Sequence, residues 1–128
     1  MPDGAAADSA DIRVQTASVL EQIDTLLARC GSAKDRILRA QIYLVRTRRR
    51  KVMIPPIRRG SRHVFSLDLN LFQVDVKDAA GMNEVWIAWM KDTPTPARAT
   101  VGTTALVDPR WKIEIVITAA VGGRGSKL

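Results

Sequence analysis

Pro96-Ala97-Arg98-Ala99-Thr100-Val101, then a short break, then Ile113-Glu114-Ile115: this stretch decides how the chain is read. It reads as two β-strands. Arg98 opens the first, in which Ala99, Val101, Thr103 and Ala105 alternate with Thr100, Gly102 and Thr104. Residues 111–120 form the second, with Ile113, Ile115, Ile117 and Ala119 on one face. The connection Leu106–Arg110 holds Asp108-Pro109 and is too short for a parallel crossover, so the two strands are expected to pair antiparallel. Arg98 and Glu114 would then stand on neighbouring strands.

Upstream, the apolar periodicity changes twice. Residues 1–8 read as a flexible lead-in, and Asp8 or Ser9 can cap a helix running to about Arg29. Ile12, Val19, Leu20, Ile23, Leu26 and Leu27 form its stripe, and Gly31 suits the position just past its end. Residues 37–44 alternate as a strand, with Leu38, Ala40, Ile42 and Leu44 on one side and Arg39, Gln41 and Tyr43 on the other. Asp78 can cap a second helix from Ala79 to about Met90, whose buried face uses Met82, Val85, Trp86 and Trp89. Thr93-Pro94-Thr95-Pro96 then forces an extended loop into the Arg98 strand. The order is α–β–α–β–β, and both faces of the last strand are partly apolar, which calls for cover on both sides of the sheet.

Pro-Ala-Arg-Ala-x-Val, Leu106 and Ile-Glu-Ile in that helix and strand order resemble the signature of the RidA/YjgF family, the reactive intermediate deaminases. The resemblance covers Asp11–Leu44 and Val74–Val121, about two thirds of the chain, and Thr104 departs from the small or basic residue usual at its position. It implies an α+β, chorismate-mutase-like fold with a mainly antiparallel sheet and two helices packed on one face. It also implies assembly as a homotrimer, sites in the clefts between subunits, and no cofactor. Arg98 would hold the carboxylate of a 2-imino acid such as 2-iminobutanoate or 2-iminopropanoate, which hydrolysis converts to the 2-keto acid and ammonia.

The residue chemistry is compatible with that role. A guanidinium presents a rigid two-pronged donor that matches a carboxylate. A protonated imine is already electrophilic, so positioning it against water supplies much of the catalysis. Glu114 is the candidate to orient or deprotonate that water, and Tyr43 faces the side of its strand where it could line the same cleft. The plainer alternatives are a structural ion pair of Arg98 with Glu114 or with a neighbouring carboxylate, and a solvated or paired strand carboxylate at Glu114. A non-catalytic small-molecule binder of the same family is the second functional reading.

Composition removes other chemistry. The chain has 128 residues, one domain's worth, and no apolar run of membrane-spanning length. The start of the sequence shows no secretory signal pattern. The lone cysteine, Cys30, suits a reducing compartment and reads as a packed thiol. With His63 as the lone histidine, no metal-ligand spacing exists. The net charge of +7 belongs to residues 45–73, where eight Lys/Arg meet only Asp68; the remaining twelve basic residues are matched by twelve acids.

That segment and the first residues depart from the family. Family members begin with a β-hairpin that adds strands and part of the pocket, whereas about ten residues precede the first helix here. A sheet edge is therefore expected to be left unpaired. Leu44 would join Val74 without a seam if residues 45–73 were removed, and the ends of that segment could encode splice boundaries, which suggests a retained intron. The alternative is a basic loop contacting phosphates, as a nucleic-acid-binding or ribonuclease-like protein would use; a charge run is more often solvated. Residues 122–128 read as a flexible tail ending in Ser126-Lys127-Leu128, the peroxisomal address read by an import receptor, with the cytoplasm as the alternative location.

Overall fold

The computed structural model describes residues 1–46 and 76–121. The basic segment beyond Arg46 and the Ser126-Lys127-Leu128 tail lie outside the described residues, as do the readings attached to them. The elements in chain order are α1 (Gly4–Asp8), α2 (Ile12–Arg29), a single 3₁₀ turn (Lys34–Arg36), β1 (Ile37–Val45), α3 (Val76–Trp89), β2 (Ala97–Thr103) and β3 (Ile113–Ala119). The class is α+β, as the sequence predicts.

Rather than a flexible lead-in, residues 4–8 form a one-turn helix packed on α2, with Ala7 buried. The cap of α2 therefore moves from Asp8 or Ser9 to Asp11, whose carboxylate accepts the Arg13 amide at 2.9 Å. At the other end Gly31 takes φ +68°, and the Ser32 amide donates to Leu27 O at 2.8 Å while the Gly31 amide donates to Ala28 O at 3.1 Å. These two bonds make a Schellman motif and satisfy carbonyls the helix would otherwise leave free. In α3 the helix starts earlier than Asp78, which lies in the first turn and pairs with Lys112 at 3.4 Å.

The sheet order is β2-β1-β3, and this corrects the expected strand pairing. β1 lies between the two downstream strands, parallel to β2 and antiparallel to β3, so the sheet is mixed. The long connection carrying α3 permits the parallel β1–β2 pair. The short connection after β2 does exclude a parallel crossover, but it does not require adjacency. Two strand spacings come to about 10 Å, well within the reach of the intervening residues. The end of β1 is fastened on both sides: the Val45 amide donates to Lys112 O and the Arg46 amide to Thr103 O, each at 2.8 Å. Val45 is thus the last residue of the strand.

α2 and α3 pack together and, with the inward side of β1, enclose the core. Val19, Leu20, Ile23, Ala40, Ile42, Leu44, Met82, Trp86 and Ile113 are its buried members. One inward assignment fails: Leu38 is 61% exposed and Ile37 is buried instead. A register irregularity between Ile37 and Arg39 reverses the alternation there. The two helices approach closely at Gly81, where a Cβ would stand 2.7 Å from Ile12 Cγ2. Beside it Arg13 donates to both Glu84 carboxylate oxygens, at 2.8 and 3.1 Å.

A polar staple positions β3. Gln15 is fully buried on α2; its amide nitrogen donates to Ser9 O and Arg110 O at 2.8 Å, and its oxygen accepts the Lys112 amide at 2.7 Å. One side chain therefore ties three segments at the start of the strand that carries Glu114.

Candidate functional site

Arg98 lies near the start of β2, an edge strand among the described residues, in register with Ala40 of β1. Partners in register share a face, so Arg98 projects on the helix side. There its Nη1 donates to Asn83 Oδ1 at 2.7 Å and lies 3.8 Å from Met82 Sδ. The guanidinium carbon is 5.5 Å from the centre of the Trp86 ring, within cation–π range. Trp86 lies three residues after Asn83 and four after Met82, so all three side chains reach Arg98 from one turn of α3, and the helix both stacks and orients the cation.

The sequence predicts Met82 and Trp86 as core, and both are buried. Asn83 as the holder of Arg98 was missed; its position between Met82 and Trp86, three residues before the ring, is the signal that could have found it. Among the described residues no carboxylate lies within ion-pair distance of Arg98, so the structural ion pair with Glu114 does not form within one chain. An open hollow of about 420 Å³ adjoins the guanidinium, lined by Trp86, Met90, Lys91, Asp92, Thr93 and Thr95 among others. It offers hydroxyls, a second cation and the Asp92 carboxylate beside an aromatic wall.

Glu114 and Tyr43 form a different group. They are directly opposed on β3 and β1, on the sheet face away from the helices, and both are half-buried. Tyr43 thus points away from the core, as its place in the alternation predicts. The Met1 ammonium is near enough to feel Glu114: burial pulls its pKa below the ordinary 8.0, while the Glu114 and Asp3 charges pull the other way.

The structure does not bring Arg98 and Glu114 together in one chain. β1 lies between their strands, and their register positions on β1, Ala40 and Tyr43, are three residues apart and on opposite faces. Strand spacing and rise put their Cα atoms about 14 Å apart. The expectation of neighbouring strands is thereby corrected, and the cause is the central placement of β1.

No three His, Cys, Asp or Glu side chains gather as a metal site among the described residues. No described helix is long and apolar enough to cross a membrane.

Comparison with known proteins places this architecture. The family profile described as Endoribonuclease L-PSP matches residues 60–121. A RutC family protein of Haemophilus influenzae is 38% identical over 105 residues, covering 82% of this chain and 65% of that protein. The RutC family protein YoaB of Escherichia coli K12 is 35% identical over 112 residues, covering 88% of this chain and 72% of its own. The chain therefore spans about two thirds of the length of these curated relatives. Among solved structures, a member of the YjgF protein family from Neisseria meningitidis superposes with a TM-score of 0.64 at 36% identity, over 94% of this chain and 73% of that one. Sequence, element order and superposition agree, and the chain belongs to the RidA/YjgF family, also called the RutC family.

Proposed function

We propose that this protein is an enamine/imine deaminase that hydrolyses 2-imino acids, of the class of 2-iminobutanoate and 2-iminopropanoate, to 2-keto acids and ammonia. The observation that carries the reading is Arg98. Its guanidinium is oriented by Asn83 and Trp86, has no carboxylate partner among the described residues, and borders an open hollow. A cation held in place with its charge unmatched is suited to a substrate carboxylate.

In the proposed reaction, water adds to the imine carbon and the C=N electron pair moves to nitrogen. A carboxylate takes a proton from the attacking water and returns it to the nitrogen. The new hydroxyl then gives its proton to the carboxylate as the C–N bond breaks, ammonia leaves and the C=O bond forms. Glu114 is the proposed acceptor. Since Arg98 and Glu114 lie on opposite faces of one sheet, a site using both draws them from different copies, in keeping with a homotrimer whose clefts hold the substrate. Tyr43, opposite Glu114, would line the same cleft from the second copy. The C-terminal Ser126-Lys127-Leu128 supports a peroxisomal setting, where oxidation of amino acids would release such imines.

The test is keto-acid release from an imine generated in place by an amino-acid oxidase, scored against the spontaneous rate. Wild type is expected to accelerate release, and Arg98→Lys to lose most of the acceleration because an ammonium cannot grip both carboxylate oxygens. Acceleration that survives Arg98→Ala undiminished refutes the role of Arg98. A wild-type trimer with no acceleration, yet saturable binding of a 2-keto acid, would mark the protein as a non-catalytic binder.

A further inference from the structure

Trp89 is held from three sides at the end of α3. Its indole Nε1 donates to Asp24 Oδ2 on α2 at 2.9 Å, and its ring meets that of Trp86 at 5.4 Å between centres, tilted by 55°. Lys34, the first residue of the 3₁₀ turn, makes the third contact twice over. Its ammonium donates to Trp89 O at 3.0 Å and stands 5.1 Å from the centre of the same residue's ring. Both suit a cation, since the carbonyl lies at the negative end of the helix and the face of an aromatic ring is negative. α3 has no basic residue in its own last turn, so Lys34 supplies that charge from another element.

The same ring pair carries Arg98 at its far end. Trp86, tilted against Trp89, is the platform over which the guanidinium carbon sits at 5.5 Å. Lys34, Trp89, Trp86 and Arg98 thus follow one another in contact. Lys34 also helps fix the wall of the hollow beside Arg98. Trp86 O and Ala88 O accept the amides of Met90 and Lys91, Trp89 O accepts Lys34, and Met90 O accepts the Thr93 amide, so the helix end closes into the turn 90–93. In that turn Asp92 takes φ +59°, a left-handed conformation costly for a residue with a Cβ, and it borders the hollow.

We propose that Lys34 is a positioning residue for Arg98, acting through Trp89 and Trp86. The ammonium ties the Trp89 ring to the end of its own helix, the Trp89 ring limits the tilt of Trp86, and Trp86 supports the guanidinium. The bond from Nη1 to Asn83 fixes one corner of that group, and the aromatic platform holds the rest against α3. A fork that grips a carboxylate gains most when it is aimed before the ligand arrives. This role rests on the reading of Arg98 as the holder of a carboxylate, whereas the ring contacts themselves do not.

The experiment follows the Arg98 Nε–H resonance of the isotope-labelled full chain, assigned by its loss in Arg98→Lys, first without ligand and then with 2-oxobutanoate. Ring current from Trp86 shifts that proton away from its free-arginine position. Lys34→Met, which keeps the stem but not the charge, is expected to move it back, and so is Asp24→Ala at an exposed place on α2. Lys34→Arg is expected to restore it, since a guanidinium can bond the same carbonyl and stack on the same ring. In Lys34→Met the dissociation constant for 2-oxobutanoate is expected to rise about threefold, the scale of one exposed cation–π contact. Gly31→Ala loses stability without touching the rings and should leave resonance and affinity unchanged, which separates aim from mere stability.

A resonance that Lys34→Met and Asp24→Ala leave in place overturns the proposal. So does one that moves equally in Gly31→Ala, one that Lys34→Arg fails to restore, or an unchanged affinity beside a moved resonance. A wild type whose resonance 2-oxobutanoate leaves untouched overturns instead the carboxylate reading of Arg98, and the ligand-free comparison still decides whether Lys34 sets its position.

Discussion

Replacing Gln15 by Leu tests whether one buried amide sets the position of β3. Leucine fills much of the same volume but cannot bond, so the Lys112 amide and the carbonyls of Ser9 and Arg110 lose their partner. The orphaned amide costs about 3 kcal/mol at the upper end, and each part-buried carbonyl about 1 kcal/mol. Burial of the leucine returns about 2 kcal/mol. The net loss is about 3 kcal/mol, a large part of a domain's total stability. For a chain of this size that lowers Tm by on the order of 10 °C, measurable by thermal unfolding followed by circular dichroism. Amide exchange at Lys112 should accelerate in step, because its acceptor is gone. Gln15→Glu is a useful companion: it keeps an acceptor for Lys112 but aims a carboxylate at two carbonyls in a fully buried place, and should be no milder. A loss below about 1 kcal/mol for Gln15→Leu would refute the staple, since it would mean the three backbone groups find other partners.

Two further outcomes follow from single features. Gly31→Ala should cost about 1 kcal/mol, read from urea unfolding, and Gly31→Asn less. No atom lies within 4 Å of a Cβ at that position, so any loss reports the φ of +68° alone. Arg13 holds the Glu84 carboxyl below its ordinary value of 4.5, through the hydrogen bonds first and their charges second. A carboxylate with a depressed folded pKa stabilises above its unfolded value and loses that contribution as pH falls through the folded one. Acid should therefore weaken the α2–α3 contact, and Glu84→Gln should flatten the Tm against pH curve below 4.5. Both groups are exposed, so the effect is small and salt-sensitive; an unchanged curve would show that the pair contributes nothing in solution.

What the sequence determined by itself is local. The order α–β–α–β–β, the stripe of α2, the inward Ala40, Ile42 and Leu44, and the glycine at the helix end all follow from periodicities and backbone preferences that a few neighbouring residues express. The Arg98 and Glu114 signature likewise identified the family from two short strands. The tertiary structure decided adjacency and side. Backbone groups of any strand can pair with those of any other, so no periodicity could say that β1 lies between β2 and β3. That one placement separates Arg98 from Glu114, turns Arg98 toward Asn83 and Trp86, and leaves Glu114 beside Tyr43. Leu38 and Gln15 show the same limit. A one-residue irregularity reversed the first, and bonds to residues more than ninety positions away buried the second. Local pattern encodes what each segment forms, while long-range pairing selects which surfaces meet, and here the meeting of surfaces sets where the chemistry can occur.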